Sequence, residues 1–129
     1  MQNPPVKPKV LLIEDDPLFQ ELAEAALAAH CVFLVASTIE EGILLIAEHD
    51  DIAIILLDGH VPLSRKDRRM GTTLLLAEDL MNTRRGRITL FAASGDPLLN
   101  AAFVHIGAEP TDKSTAYATV ARLLHRTVT

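Results

Sequence analysis

The chain is predicted to be an α/β protein: one doubly wound parallel sheet of five strands with helices on both faces. Three observations predict it. Short, uninterrupted apolar runs alternate with longer amphipathic segments along the chain, as buried parallel strands alternate with their crossover helices. Asp-Pro pairs at 16–17 and 96–97 stand where helices should begin, aspartate as cap and proline in the first turn. Of 129 residues, 49% are hydrophobic and 22% charged, enough apolar material for the core of one domain.

Lys9 to Ile13 is the first apolar run, and a helix follows from Asp16-Pro17 to about His30. Val32 to Ala36 is the second strand. Ser37-Thr38-Ile39-Glu40 resembles a capping box, opening a helix to about His49. Ile52 to Leu57 is the most apolar run and should be the central strand, covered on both faces. A polar loop is expected from Asp58 to about Met70, then a leucine-rich helix from about Thr72 to Asn82. Ile88 to Ala92 is the fourth strand. The helix after Asp96-Pro97 should stop at Gly107, a residue suited to a C-cap. A fifth strand is expected around Glu109 to Thr111, where Pro110 fits only a sheet edge. The last helix spans about Ser114 to His125. Residues 1–8 read as a flexible polar lead-in, and residues 9–129 as the domain.

Composition excludes several classes. No apolar run approaches the roughly 18–20 residues that span a bilayer, so no membrane association is expected. The N-terminal residues Met1 to Pro8 have no apolar core of a secretory signal. Cys31, the one cysteine, cannot form an internal disulfide and reads as a small core residue. The expected location is cytoplasmic. The formal charge of −5 argues against direct nucleic-acid binding. None of the five histidines pairs with cysteine at zinc-ligand spacing.

In parallel sheets of this kind, sites form beyond the carboxyl ends of the strands. Those ends carry Glu14-Asp15-Asp16, Asp58, Ser94-Gly95 and Lys113. Crowded carboxylates repel one another and raise each other's pKa; a hard divalent cation relieves this, and oxygen ligands suit Mg²⁺. Glu14, Asp15 and Asp58 supply three negative charges, which Mg²⁺ and Lys113 would balance. A phosphoryl group arriving at Asp58 would meet cationic and hydroxyl partners, and phosphoryl transfer needs little beyond such positioning. A carboxylate can serve as the nucleophile. Asp16 reads as a helix cap rather than a ligand.

These motifs, in this order, resemble the receiver domains of two-component response regulators over roughly residues 9 to 126. The matching segments are Leu12-Ile13-Glu14-Asp15-Asp16-Pro17, Leu57-Asp58-Gly59-His60-Val61-Pro62, Ala92-Ala93-Ser94-Gly95, Gly107-Ala108 and Lys113. The resemblance implies a flavodoxin-like sheet of order 2-1-3-4-5. It implies Asp58 as phosphoacceptor, with Ser94 and Lys113 completing the catalytic set. It implies Mg²⁺ held by Glu14, Asp15, Asp58 and the backbone carbonyl of His60. The donor would be a phosphohistidine on a sensor histidine kinase or phosphotransfer protein, and the receiver would itself catalyse transfer and later hydrolysis. Output would run through contacts with a downstream protein, and the family's usual face, built from the fourth and fifth helices and the fifth strand, also serves some members in homodimers.

The sequence departs from the family in three places. Ser114 replaces the usual proline after the lysine. The stretch from Gly107 to Lys113 is short and lacks the aromatic residue expected there, and Tyr117 is expected to pack within the last helix instead. The loop after Asp58 is long and carries Ser64-Arg65-Lys66-Asp67-Arg68-Arg69, a basic run that is either solvated, steers an acidic partner or touches the phosphoryl group. A second cluster, Arg84-Arg85-Gly86-Arg87, reads as a turn on the far side. Two other functions therefore stay open: a phosphorylation-insensitive binding module with this fold, and a small aspartate-nucleophile phosphohydrolase. The second is disfavoured because such enzymes carry another aspartate two residues on, where this chain has His60.

Overall fold

The computed structural model describes residues 7–128. Of the expected lead-in, residues 1–6 lie outside that range, as does Thr129 at the other end. The elements are β1 Lys9–Ile13, α1 Pro17–Leu27, β2 Val32–Ala36, α2 Ile39–Glu48, β3 Ile52–Asp58, β4 His60–Pro62, β5 Met70–Thr72, α3 Leu74–Thr83, β6 Thr89–Ala93, α4 Pro97–His105, β7 Glu109–Pro110 and α5 Lys113–Val128.

The main sheet has the order β2-β1-β3-β6-β7, with every pairing parallel. Counting only these five strands, that is the expected order 2-1-3-4-5. β3 is central, in register with Val10 to Ile13 on one side and with Thr89 to Ala93 on the other. Its side chains alternate between two cores, as strand geometry requires. Ile55 and Leu57 join Leu11, Ile13, Leu80 and Phe103 beneath α2, α3 and α4. Ile54 and Leu56 join Val10, Leu12, Leu27 and Val120 beneath α1 and α5. This two-sided burial explains why the third apolar run shows no polar alternation.

Capping fixes where the helices begin. The Asp16 side chain accepts from the Leu18 N–H, and Asp96 from that of Leu98, each with proline in the first turn. The capping box lies one residue later than the sequence suggests. Thr38 accepts from the Glu41 N–H, and the Glu41 carboxylate accepts from the Ser37 N–H. After α4, Gly107 adopts φ +107°, and the Ala108 N–H reaches back to the Phe103 carbonyl, closing the helix end as expected. Pro110 sits in β7 at the sheet edge, where a missing N–H is tolerated.

Two expectations need correction. The stretch after Asp58 is not simply a polar loop: β4 and β5 form an antiparallel hairpin, His60 paired with Thr72 and Pro62 with Met70. Three-residue strands without apolar alternation are below what periodicity can reveal. The last helix begins at Lys113 rather than Ser114 and continues to Val128. There is no cis peptide bond among the described residues.

Ile55 is fully buried in the central strand and Leu98 is 83% exposed. Ile55→Ala is expected to cost about 2–5 kcal/mol of unfolding free energy. Leu98→Ala should stay within about 0.5 kcal/mol of wild type. Urea denaturation of the two variants checks both values.

Candidate phosphoacceptor site

Two strand ends and a helix start build the site. β1 delivers Glu14, whose N–H still bonds to the Ala36 carbonyl of β2 (2.9 Å). β3 ends on Asp58, whose carbonyl accepts from the buried Thr73 hydroxyl at 2.9 Å. α5 begins with Lys113. One ligand oxygen each from Glu14, Asp15 and Asp58 lies within 4.8 Å of the others. The Lys113 ammonium joins them, 3.0 Å from Glu14 Oε1 and 3.1 Å from Asp58 Oδ2. It also stands 4.6 Å from the centre of the Phe19 ring, a cation–π contact that holds it from the α1 side.

Glu14 is the least solvated member, at 1% exposure. Its Oε2 accepts from the Asp16 N–H at 3.2 Å, and its carbonyl accepts from Gln20 Nε2 at 2.6 Å. Burial, and then the hydrogen bond and charge of Asp58, push its carboxyl up to about 7, against the opposite pull of Lys113 and the Asp16 N–H. Burial alone would lower the Lys113 pKa, but the two carboxylates outweigh it and keep the ammonium above its ordinary value. The site therefore holds more negative charge than its one lysine neutralises. All its candidate ligands are oxygens, the donor set of a hard cation, and Mg²⁺ fits it.

Ser94 follows β6 and packs against Gly59, the residue after Asp58. A Cβ on Gly59 would lie 2.7 Å from Ser94 Cβ and 2.9 Å from its Oγ, so only glycine lets the serine approach the chain beside Asp58. Ser94 Oγ accepts from the Asp96 N–H at 3.1 Å, the turn that leads into α4. His60 stands in β4, half-buried and paired with Thr72. Asp16 caps α1 from an exposed position and does not enter the acidic group.

Sequence reasoning missed four neighbours: Phe19, Gln20, Thr73 and Tyr117. The first three act across elements, and no local pattern marks them. Tyr117 corrects an expectation. It does not pack only within α5 but lines a gap of about 20 Å³ behind Glu14, Asp58 and Lys113. Burial, and then the nearby carboxylates, push its hydroxyl up to about 12. The i, i+4 spacing from Lys113 was the available signal. The expected far-side turn is present: Gly86 has φ +83°, and Arg84 donates to the Ile46 carbonyl.

No family model and no curated protein matches the chain. Solved structures do. A signal receiver domain of a putative LuxO repressor protein from Vibrio parahaemolyticus is 21% identical, with a TM-score of 0.71 over 94% of this chain and 92% of that one. The receiver domain of an HD domain-containing protein from Pseudomonas fluorescens is 14% identical, with a TM-score of 0.76 over 99% and 91%. The chain has the receiver-domain fold. A receiver chain is also matched in the Saccharomyces cerevisiae co-crystal of the histidine phosphotransfer protein Ypd1 with the receiver domain of its downstream response regulator Ssk1. There the identity is 14% and the TM-score 0.70, over 92% and 87%.

The raised carboxyl of Glu14 has a defined sign. An ordinary carboxyl titrates near 4.5 and the folded one near 7, so the metal-free folded state binds this proton more tightly than the unfolded chain. The stabilisation is complete below about 4.5 and is lost as the pH rises through 7. In EDTA, wild-type stability relative to Glu14→Gln should fall over that interval by on the order of 2–3 kcal/mol. Urea midpoints of both proteins at a series of pH values test this, and parallel curves would refute it.

Proposed function

We propose that this protein is a response-regulator receiver that accepts a phosphoryl group from a phosphohistidine donor onto Asp58 in a Mg²⁺-dependent reaction, and relays the signal by protein contacts. The observation that carries the reading is the grouping of Glu14, Asp15 and Asp58, with the Lys113 ammonium on Glu14 and Asp58, at the carboxyl edge of a receiver-fold sheet. The donor would be a sensor histidine kinase or a phosphotransfer protein, and the setting the cytoplasm. No helix among the described residues is long and apolar enough to cross a membrane.

An Asp58 carboxylate oxygen forms the new P–O bond while the P–N bond to the donor imidazole breaks, and the electron pair of that bond stays with the leaving nitrogen. Lys113 holds Asp58 Oδ2 at 3.1 Å and keeps the nucleophile oriented. Its ammonium also offsets charge that gathers on the phosphoryl oxygens. Ser94, beside Gly59, offers a hydroxyl to the transferred group. The Thr73 bond to the Asp58 carbonyl fixes the backbone beneath the nucleophile. Mg²⁺ bound by Glu14, Asp15, Asp58 and the His60 carbonyl would neutralise the carboxylate cluster and the phosphoryl oxygens.

One observation favours the second reading, a binding module insensitive to phosphorylation. β7 is only Glu109–Pro110, and neither it nor the stretch to Lys113 carries an aromatic side chain that could answer a change at Ser94.

Incubation with acetyl phosphate and Mg²⁺, read by intact mass, should add one phosphoryl group to wild type and none to Asp58→Asn. EDTA should abolish the addition. An unmodified wild type, or equal labelling of the variant, would remove Asp58 from this role. Modification without any change in partner binding would favour the second reading.

A further inference from the structure

We propose that the groove between α2 and α3, with the tip of the β4–β5 hairpin at one end, docks an acidic amphipathic helix of a partner protein. The groove encloses about 560 Å³, and its walls include Ile39, Ile43, Leu63, Leu75 and Leu76. Ile43 is 50% exposed and Leu75 76% exposed. Apolar side chains grouped in one concave strip, rather than scattered singly, mark a surface meant to be covered. The strip lies between α2 and α3, and a groove between two helices can receive a third that presents apolar residues at i, i+3, i+4 and i+7.

Charge selects the flanks of that helix. Residues 65–69 hold four of the chain's 12 lysines and arginines and one of its 17 acids. Two of these cations are already paired: Arg65 with Glu41 at 2.7 Å and Arg69 with Asp67 at 2.7 Å. Lys66 and Arg68 are exposed and make no hydrogen bond or ion pair among the described residues. The hairpin presents them from a fixed position. The Leu63 carbonyl accepts from the Glu40 N–H at 3.0 Å, and a Cβ on Gly71 would strike Leu63 and crowd Ile39. At the far end the groove is bounded by Arg84, with Asp79 the one acid on its wall. Arg84 is partly buried and already donates to the Ile46 carbonyl, so the unpaired cations stand at the hairpin end of the apolar strip, on a chain of net charge −5. Glutamates or aspartates beside a leucine stripe complement it, and the apolar walls make a poor surface for a nucleic-acid backbone.

The test uses two synthetic helical peptides with the same leucine stripe, one flanked by glutamates and one by lysines, followed by fluorescence anisotropy against the whole chain. The glutamate peptide should bind about tenfold more tightly at low salt, and the advantage should shrink as salt rises. Lys66→Ala with Arg68→Ala should remove most of that advantage, and Leu75→Ser should weaken the peptide several-fold. These sites are exposed, so circular dichroism should stay unchanged. Acetyl phosphate labelling of Asp58 should also be unaffected, which separates this inference from the reading of the phosphoacceptor site. Equal binding of both peptides, binding of neither, or indifference to the variants would overturn the proposal. So would a dimer in sedimentation that Leu75→Ser dissociates, because a second copy would then be the occupant.

Discussion

Glu14 stands almost without solvent between the carboxylate of Asp58 and the ammonium of Lys113, and the chemistry of this edge follows from that crowding. One lysine cannot balance three acids. Burial first, and then the hydrogen bond and charge of Asp58, push the Glu14 carboxyl up to about 7. Such a site stores unfavourable charge that a cation or a charge-bearing reactant can relieve, which is why polar groups of this kind persist where a structural role would favour hydrophobic replacement.

The sheet makes the crowding unavoidable. β1 and β3 are adjacent and parallel, so the residues just past their carboxyl ends must face one another across a single strand spacing. Lys113 arrives from the far edge because α5 starts where β7 stops. Phe19 on α1 then stacks on it, and Tyr117 on α5 lines the small gap beside it. The helices that bury one face of the sheet thus also carry the side chains that hold the lysine, so core packing and site geometry are set by the same contacts.

The hairpin after Asp58 gives this chain a surface of its own. Thr73 ties the hairpin's exit to the Asp58 backbone, while Leu63 and Gly71 press it onto the start of α2. A basic tip and an apolar groove are therefore attached to the same backbone that carries the nucleophile. A short connection between the same elements would leave α2 and α3 without the Leu63 end of the groove and without the cations above it.

The sequence by itself determined the elements of the main sheet, the helix starts at Asp16 and Asp96, the stop at Gly107 and the residues standing at the strand ends. These are local: caps, turns and buried runs are decided by residues a few positions apart. The tertiary structure alone decided that Lys113 bonds Glu14 and Asp58 at once, that Phe19 stacks on it, that Thr73 holds the Asp58 carbonyl and that Tyr117 backs the site. It also decided that a stretch read as polar loop folds into a hairpin. The contacts of Lys113, Phe19, Thr73 and Tyr117 join residues distant along the chain, and which of them meet is chosen by the faces of the sheet that the helices cover, a choice that no local pattern encodes. The hairpin is local, but its three-residue strands are too short to show a period.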